Sequence, residues 1–235
     1  MRNSNSVQEL VEINSLLTNI RKEYEKGIKP VLRNNNSSLF KNPHKIPKLK
    51  KIQINRSLGL AAQNNTILKK NIEEFTSITG QKPIITKAKK AIAGFKIRED
   101  MELGLTVTLR GEKMYAFLTK LIFFTFSQIR DFQGLSLRSF DKAGNYTLGL
   151  KEQLIFPEIN YDDVDQTQGL NITLVLSSSQ RTTVKNRLLN GMILFKLLRF
   201  PLNDSGYYTK YSSLSEVSQV WDRKKPLRRK RWSQE

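Results

Sequence analysis

The segment MELGLTVTLRG, residues 101–111, alternates apolar and polar side chains. Leucine or valine lies at 103, 105, 107 and 109, whereas glycine, threonine and arginine fill the positions between them. Because successive side chains of a strand point to opposite faces, this pattern predicts a strand that is buried on one face only. Such a strand needs an apolar layer on its buried side, so the chain is constrained towards a sheet that is covered on one face.

Other segments extend this pattern. Alternation over 49–58 and 170–176 predicts two more strands, PIIT at 83–86 predicts a short one, and helical spacing predicts helices over about 7–26, 67–79, 112–128 and 183–199. DKAGN at 141–145 is typical of a turn. The expected fold class is α+β: a mostly antiparallel β-sheet with helices packed on one face, a polar opposite face, and a basic C-terminal tail.

The net charge indicates a polyanionic partner. Forty lysines and arginines stand against 21 acidic residues, which gives +19 at neutral pH. Nucleic acid is the usual partner of such a surplus. A membrane surface is the alternative, but the chain shows neither a basic amphipathic helix nor a lipidation signal, so no membrane partner is expected.

The polar face of the predicted sheet is the first candidate site. It carries amide, hydroxyl and guanidinium groups, which suit phosphates, ribose hydroxyls and base edges. The residues assigned to it are Gln53, Asn55, Thr106, Thr108 and Arg110, with Arg56 nearby. The alternative is an ordinary solvated sheet face, which is the rule for antiparallel sheets.

A basic loop, residues 86–98, is the second candidate. The wider stretch from Thr79 to Asp100 holds six cations ahead of its first acid: Lys82, Lys87, Lys89, Lys90, Lys96 and Arg98. We expect Ile92, Phe95 and Ile97 to anchor this loop and Gly94 to allow close backbone approach, which favours phosphate binding over a merely solubilising charge run.

The tail contains RKKPLRRKR at residues 223–231, with seven cations in nine residues. They are Arg223, Lys224, Lys225, Arg228, Arg229, Lys230 and Arg231. We expect this segment to remain unpacked until bound and to act as an RNA-binding arm; a localisation signal is the alternative.

Catalysis is not indicated. The chain has no cysteine and one histidine, His44, and the acids Asp162, Asp163 and Asp165 lack the spacing of a calcium loop. We therefore expect no enzyme activity, no metal and no cofactor; a nuclease is the weakest of the functional alternatives.

Several motifs in order and spacing carry a family resemblance: ITGQKPIITKAKKAIAGFKIRE, TVTLRGEKMYAFL, RDFQGLSLRSFD and GNYTLGLKEQLIFPEI. Over residues 42–202 the chain resembles the fifth large-subunit ribosomal protein family of bacterial type, most closely its plastid and cyanobacterial branch. The resemblance implies three regions: an N-terminal helix and hinge (1–41), an RNA-binding domain (42–202) and a basic extension (203–235). It also implies residence in the chloroplast, with the mitochondrion as the alternative.

The resemblance further implies a structural protein of the large subunit that binds 5S rRNA in the central protuberance. Its 5S-facing positions correspond to Asn55, Gln81 and Thr108, with Lys82 beside them. The basic loop corresponds to a segment facing P-site tRNA. The turn with Asp141, Lys142, Asn145 and Tyr146 corresponds to a bridge towards small-subunit ribosomal protein thirteen. Large-subunit rRNA and other central-protuberance proteins complete the expected partners; an RNA-binding module or chaperone acting outside the ribosome is the alternative.

Overall fold

The computed structural model describes residues 21–22, 24–30, 46–59, 64–159, 161, 164, 166–177 and 184–203. Most of the predicted helix over 7–26, His44, the three acids near 162–165 and the basic tail lie outside these residues. Within the described N-terminal part, Tyr24–Ile28 forms a π-helical turn, and the Tyr24 hydroxyl donates to the carbonyl oxygen of Pro47 at 3.0 Å. This contact ties the N-terminal segment to the start of the first strand.

Five strands form one antiparallel sheet: β1 (Lys48–Ser57), β2 (Ile84–Lys87), β3 (Glu102–Leu109), β5 (Tyr146–Leu150) and β6 (Leu170–Ser177). Their order across the sheet is β2-β3-β1-β6-β5. Two-residue strands β4 (Leu135–Ser136) and β7 (Leu202–Asn203) form a separate parallel pair. The strands predicted from alternation are confirmed, but the β4–β7 pair has no sequence signal because two residues cannot display a period.

Among the described residues, three helices of ten or more residues accompany the sheet: α1 (Asn65–Thr79), α2 (Gly111–Lys120) and α3 (Val184–Leu197). Helix α2 continues through a π-helical turn, Leu121–Thr125, into Phe126–Gln128. The α+β architecture expected from the sequence is therefore confirmed. No helix within the described ranges is long and apolar enough to cross a membrane.

Local chemistry fixes both ends of α1. The Asn64 side chain accepts a hydrogen bond from the backbone N–H of Thr66 at 3.2 Å and caps the N-terminus. At the other end Gly80 adopts φ 64° and its N–H donates to Thr76, the left-handed cap that glycine allows without steric cost. This cap determines the direction in which the chain leaves the helix.

The core lies between one sheet face and the helices. Ile52 and Ile54 of β1, Leu105 and Leu109 of β3, and Leu118 of α2 are fully buried. At the β5 side, aromatic rings extend this core: Tyr146 packs against Phe140 and Phe195, and Phe195 against Phe200. Apolar burial on this face stabilises the domain by roughly 1.5–3 kcal/mol for each large side chain, and it leaves the other face of the sheet free for function.

Candidate nucleic-acid interface

The strands direct a set of polar side chains away from the core, and we call this surface the open face. It comprises Lys51, Gln53 and Asn55 of β1, Thr106 and Thr108 of β3 with the adjoining Arg110, Thr147 of β5, and Asn171 and Thr173 of β6. Each of these residues is exposed or half-buried, whereas their neighbours in the strands are mostly buried. The surface is thus mostly polar across four adjacent strands, with Val175, the partner of Lys51, as an apolar member.

The register arranges this surface in two rows. Asn55 pairs with Thr106 on one side and Asn171 on the other. Gln53 lies in the same way between Thr108 and Thr173. Directly paired residues of antiparallel strands project to the same side, so each row crosses the strands without interruption.

The second row continues to the sheet edge. Thr173 pairs with Thr147, and their hydroxyl oxygens lie 3.3 Å apart. With neighbouring strands separated by about 4.8 Å, a row over four strands spans about 14 Å. This length matches several nucleotides rather than a single phosphate.

The structure brings together most of the predicted face residues and adds others. Gln53, Asn55, Thr106 and Thr108 lie side by side, and Arg110 lies just beyond the end of β3. Sequence reasoning missed Asn171, Thr173 and Thr147, although the alternation in LNITLVL had already placed the first two opposite the buried leucines. The surface is therefore wider than predicted.

Arg56 does not belong to this surface, and the prediction that it lies with the outward-facing group is wrong. Its side chain is fully buried on the core side. Its Nη1 donates to Oδ1 of Asn71 at 2.8 Å and to Oε2 of Glu74 at 2.9 Å. Burial lowers the pKa of the guanidinium, while Glu74 acts in the opposite direction. Arg56 shares its strand face with Ile52 and Ile54, as the period of two requires.

Gln81 and Lys82 follow the cap of α1. The Thr79 hydroxyl donates a hydrogen bond to the carbonyl oxygen of Gln81 at 2.9 Å. The Thr79 hydroxyl oxygen also accepts a hydrogen bond from the N–H of Gln81 at 3.3 Å. Lys82 and Gln81 precede Ile84, the first residue of β2, by two and three residues, and Ile84 pairs with Thr106. Both predicted residues therefore lie in the segment that enters the edge strand next to β3.

The basic loop is a short hairpin rather than an irregular extended loop. Ala88 closes its base by donating to Met101 and accepting from Asp100 at 3.0 Å, and Ile92 forms a bridge with Ile97 near its tip. The tip is a 3₁₀ turn, Ala93–Phe95. Lys87, Lys89, Lys90, Lys96 and Arg98 make no ion pair with any described acidic residue. Their charge is thus available to a partner.

The prediction that apolar residues anchor this loop is wrong for two of them. Phe95 is 69% exposed and Ile92 is 48% exposed. The 3₁₀ turn is three residues long and has no buried residue, so nothing within the described chain covers the ring. The tip presents an exposed aromatic group beside Lys96.

The turn at 141–145 is held by its own side chains. Oδ1 of Asp141 accepts from the N–H groups of Ala143 and Asn145, and Oδ2 accepts from the Asn145 amide at 2.8 Å. The amide oxygen of Asn145 accepts from the N–H of Leu176 at 3.0 Å. These two side chains stabilise the turn, which leaves Lys142 as the exposed cation.

Tyr146 cannot serve as the surface contact that the resemblance implied. It is 1% exposed, and its hydroxyl donates to the carbonyl oxygen of Ser136 at 3.0 Å. Burial raises the pKa of this phenol. The prediction that Tyr146 contacts a partner across the bridge is therefore wrong, because the residue begins β5 with its side chain in the aromatic core.

Within the ranges that the structure covers, no three acidic or histidine side chains come close enough together to hold a metal ion. His44, Asp162, Asp163 and Asp165 lie outside those ranges.

Comparison with known proteins gives a consistent result. Residues 42–98 match the family model described as ribosomal protein L5, and residues 102–201 match the model of the C-terminus of the same ribosomal family. A Large ribosomal subunit protein uL5c of Trieres chinensis is 77% identical, and one of Thalassiosira pseudonana is 73% identical, both over 100% of each chain. The uL5 protein of Nostoc sp. is 50% identical over 80% of this chain and 98% of its own.

Proposed function

The chain belongs to the ribosomal protein L5 family, and from this premise we propose that it binds 5S rRNA through the open face and the adjoining residues Gln81 and Lys82. The observation that carries the proposal is the pair of polar rows, in which Asn55 lies between Thr106 and Asn171, and Gln53 between Thr108 and Thr173. The family is one of ribosomal structural proteins rather than enzymes. No chemical step is required of these residues.

The chain is a chloroplast ribosomal protein of the large subunit. Relatives with 70–77% identity over their whole length are named uL5c, the chloroplast form, and the likeness to a cyanobacterial protein agrees with a plastid origin. The chloroplast localisation predicted from the sequence is confirmed, and the mitochondrial alternative is not favoured.

The open face has the chemistry that folded RNA requires. Double-helical RNA presents ribose hydroxyls and phosphates across its wide, shallow minor groove. The amides of Gln53 and Asn55 can donate and accept, and the threonine hydroxyls can do both. Lys51 and Arg110 lie beyond the Gln53 row, on adjacent strands of the same face, where they can pair with phosphates. Shape and backbone contacts then supply affinity, and the amides supply selectivity.

The basic loop is proposed to contact the elbow of P-site tRNA. Two properties of the described loop support this: its cations lack acidic partners among the described residues, and Phe95 presents an exposed ring. Lysines neutralise phosphates, and an aromatic face can stack on an unpaired base. The hairpin pairing of Ile92 with Ile97 keeps these groups at a defined end of the loop.

The turn at 141–145 is proposed to contact small-subunit ribosomal protein thirteen. Lys142 is the side chain free for this contact, because Asp141 and Asn145 are engaged in holding the turn and Tyr146 lies in the core.

The basic tail is proposed to bind large-subunit rRNA through its cations at 223–231, close to other central-protuberance proteins. The tail lies outside the described residues.

The experiment that tests 5S binding uses Asn55→Ala and Thr108→Val. Each change removes hydrogen-bonding groups from a different row, and each is expected to weaken 5S rRNA binding by about five- to tenfold, as the loss of one or two hydrogen bonds predicts. Filter binding would compare 5S rRNA with an unrelated folded RNA of equal length. Ser77→Ala, an exposed change on the helix side, is the matched control.

Two results would contradict the proposal. One is an equal loss of affinity for both RNAs, which would indicate nonspecific charge binding. The other is unchanged 5S affinity in both variants. Sedimentation of organellar extracts on a sucrose gradient adds a third criterion, because a chain that is absent from large subunits would instead be an RNA-binding module outside the ribosome.

A further inference from the structure

Arg56 is the one arginine among the fully buried side chains of the described chain. It lies on β1 beneath α1, and none of the surface contacts proposed above uses it. A buried guanidinium is costly to desolvate, and its Nε and Nη2 atoms have no hydrogen-bond partner among the described residues. Retaining a charge in this place calls for a reason other than packing.

The contacts of Arg56 concentrate on one turn of α1. Asn71 and Glu74 accept hydrogen bonds from the same nitrogen, Nη1, at 2.8 and 2.9 Å. The ring of Phe75 lies 5.3 Å from the guanidinium carbon. The Asn71 amide is itself oriented, because its nitrogen donates to the carbonyl oxygen of Ile67 at 2.9 Å. The guanidinium thus meets acceptors with fixed positions.

These contacts are directional in a way that apolar contacts are not. Leucine or isoleucine side chains can pack at several heights along a helix, but a displacement of α1 by one turn, about 5.4 Å, would separate the guanidinium from both acceptors. Arg56 therefore selects one position of α1 along β1. Ile52 and Ile54 on the same strand face supply burial without this selection.

Helix α2 holds the C-terminal end of α1. Lys120 donates to the carbonyl oxygen of Ile78 at 2.8 Å, and Lys113 donates to that of Gly80 at 3.1 Å. Cations at a helix C-terminus satisfy carbonyl groups that have no partner within the helix. The residue that follows Gly80 is Gln81. Contacts at two places along α1 thus determine where Gln81 and Lys82 lie.

We propose that Arg56 is a positioning residue for RNA binding: by fixing α1 on β1, it sets Gln81 and Lys82 in line with the open face. The inference rests on the proposed function, because it concerns the same RNA surface. Arg56 itself touches no RNA. Its side chain acts on the opposite side of the sheet from Asn55, its neighbour in sequence.

The test combines distance measurements on spin-labelled chains with RNA binding by the same variants without cysteines or labels, because Thr147 belongs to the open face. The chain contains no cysteine, so nitroxide labels at Ser77→Cys on α1 and Thr147→Cys on β5 are unambiguous, and both sites are exposed. Pulsed electron paramagnetic resonance would compare the label distances in the parent chain, in Arg56→Met and in Leu174→Ala. Leu174 is a fully buried residue of β6 that serves as a core-destabilised control.

We expect Arg56→Met to broaden or shift the distance distribution and to weaken 5S rRNA binding by about tenfold, within the range of coupling between residues of one hydrogen-bond network. Leu174→Ala, compared at a temperature where both variants are folded, should keep a narrow distribution and parent-like affinity. If Arg56→Met fails to fold, Glu74→Ala takes its place, because it removes one of the two acceptors and leaves the arginine unchanged.

An unchanged, narrow distribution in Arg56→Met, or in Glu74→Ala where that variant replaces it, would overturn the inference, whatever the RNA affinity. Equal RNA losses in Leu174→Ala would also overturn it, since general destabilisation would then explain the effect. The distance measurement needs no RNA. A parent chain that fails to bind 5S rRNA would therefore refute the proposed function, while the distances would still decide whether Arg56 fixes α1.

Discussion

Gly191 of α3 approaches Gly144 of the 141–145 turn so closely that a Cβ atom on Gly191 would lie 2.7 Å from the Gly144 carbonyl oxygen. The contact is reciprocal, because a Cβ on Gly144, which has φ +85°, would lie 2.6 Å from the carbonyl oxygen of Arg187. Backbone therefore meets backbone at this point. The turn proposed to face the small subunit is docked on α3 as well as held by its own hydrogen bonds.

Gly191→Ala is expected to destabilise the domain by roughly 1–3 kcal/mol, the usual cost of forcing a methyl group into a filled space. The loss should appear although alanine is the better helix former by about 1 kcal/mol. Urea unfolding measures it. Gly149→Ala is the control, because the nearest atom to its added methyl group would be the Asn171 side-chain oxygen at an ordinary 3.4 Å; a change as large as that of Gly191→Ala would contradict the packing argument.

Phe95→Ala is expected to leave the free energy of unfolding within about 0.5 kcal/mol of the parent value, as for most exposed substitutions. The ring is 69% exposed and contributes little to the core. Phe75→Ala, by contrast, removes a fully buried ring and should cost about 3–5 kcal/mol. Thermal and urea unfolding of both variants would measure these changes in the free energy of unfolding. A loss of several kcal/mol in Phe95→Ala would show that the ring anchors the loop.

Much of the fold could be predicted because its signals are local. The alternation in β1, β3 and β6 and the helical spacing in α1 and α2 each repeat over several residues, and Gly80 marks the end of α1. The same alternation separated Asn55 and Thr108 from their buried neighbours. These predictions needed no knowledge of distant contacts.

The errors arose at positions where residues far away in the sequence determine whether a side chain is buried. The period of two places Arg56 on the buried face with Ile52 and Ile54, but the counter-charge that makes its burial possible comes from Glu74, 18 residues away. Tyr146 directly follows the turn sequence DKAGN, but its ring packs against Phe140 and Phe195 in the core. Phe95 was expected to be buried from its residue type alone, although the three-residue turn that carries it is too short to fold back.

Replacing Lys87, Lys89 and Lys90 together with glutamine is expected to weaken RNA binding and to flatten its dependence on salt. Each lost phosphate contact should lower the slope of log affinity against log salt by about 0.7–0.9, so the triple change should lower it by roughly two units. The control replaces Lys22, Lys26 and Lys29, which are exposed on the N-terminal segment and remove the same charge. An unchanged slope in the loop variant, or the same change in the control, would show that the loop makes no specific phosphate contacts.

The buried phenol of Tyr146 predicts a loss of stability in alkali. Burial raises its pKa above the ordinary value of 10.0, so the unfolded chain releases this proton at a lower pH than the folded chain does. The stabilising effect is complete below the unfolded pKa and is lost as the pH rises through the folded pKa. Tyr146→Phe should cost about 0.5–1.5 kcal/mol at neutral pH, since the carbonyl oxygen of Ser136 loses its donor.

Above about pH 10 the difference between the parent and Tyr146→Phe should shrink, by up to about 1.4 kcal/mol for each pH unit. Urea unfolding at about pH 7, 9 and 10.5 measures this trend. Tyr161→Phe is the control, because Tyr161 is 80% exposed and its replacement should change the free energy of unfolding by no more than about 0.5 kcal/mol. A constant difference between the parent and Tyr146→Phe across this range would contradict the prediction, since the buried phenol would then contribute nothing to the alkaline loss.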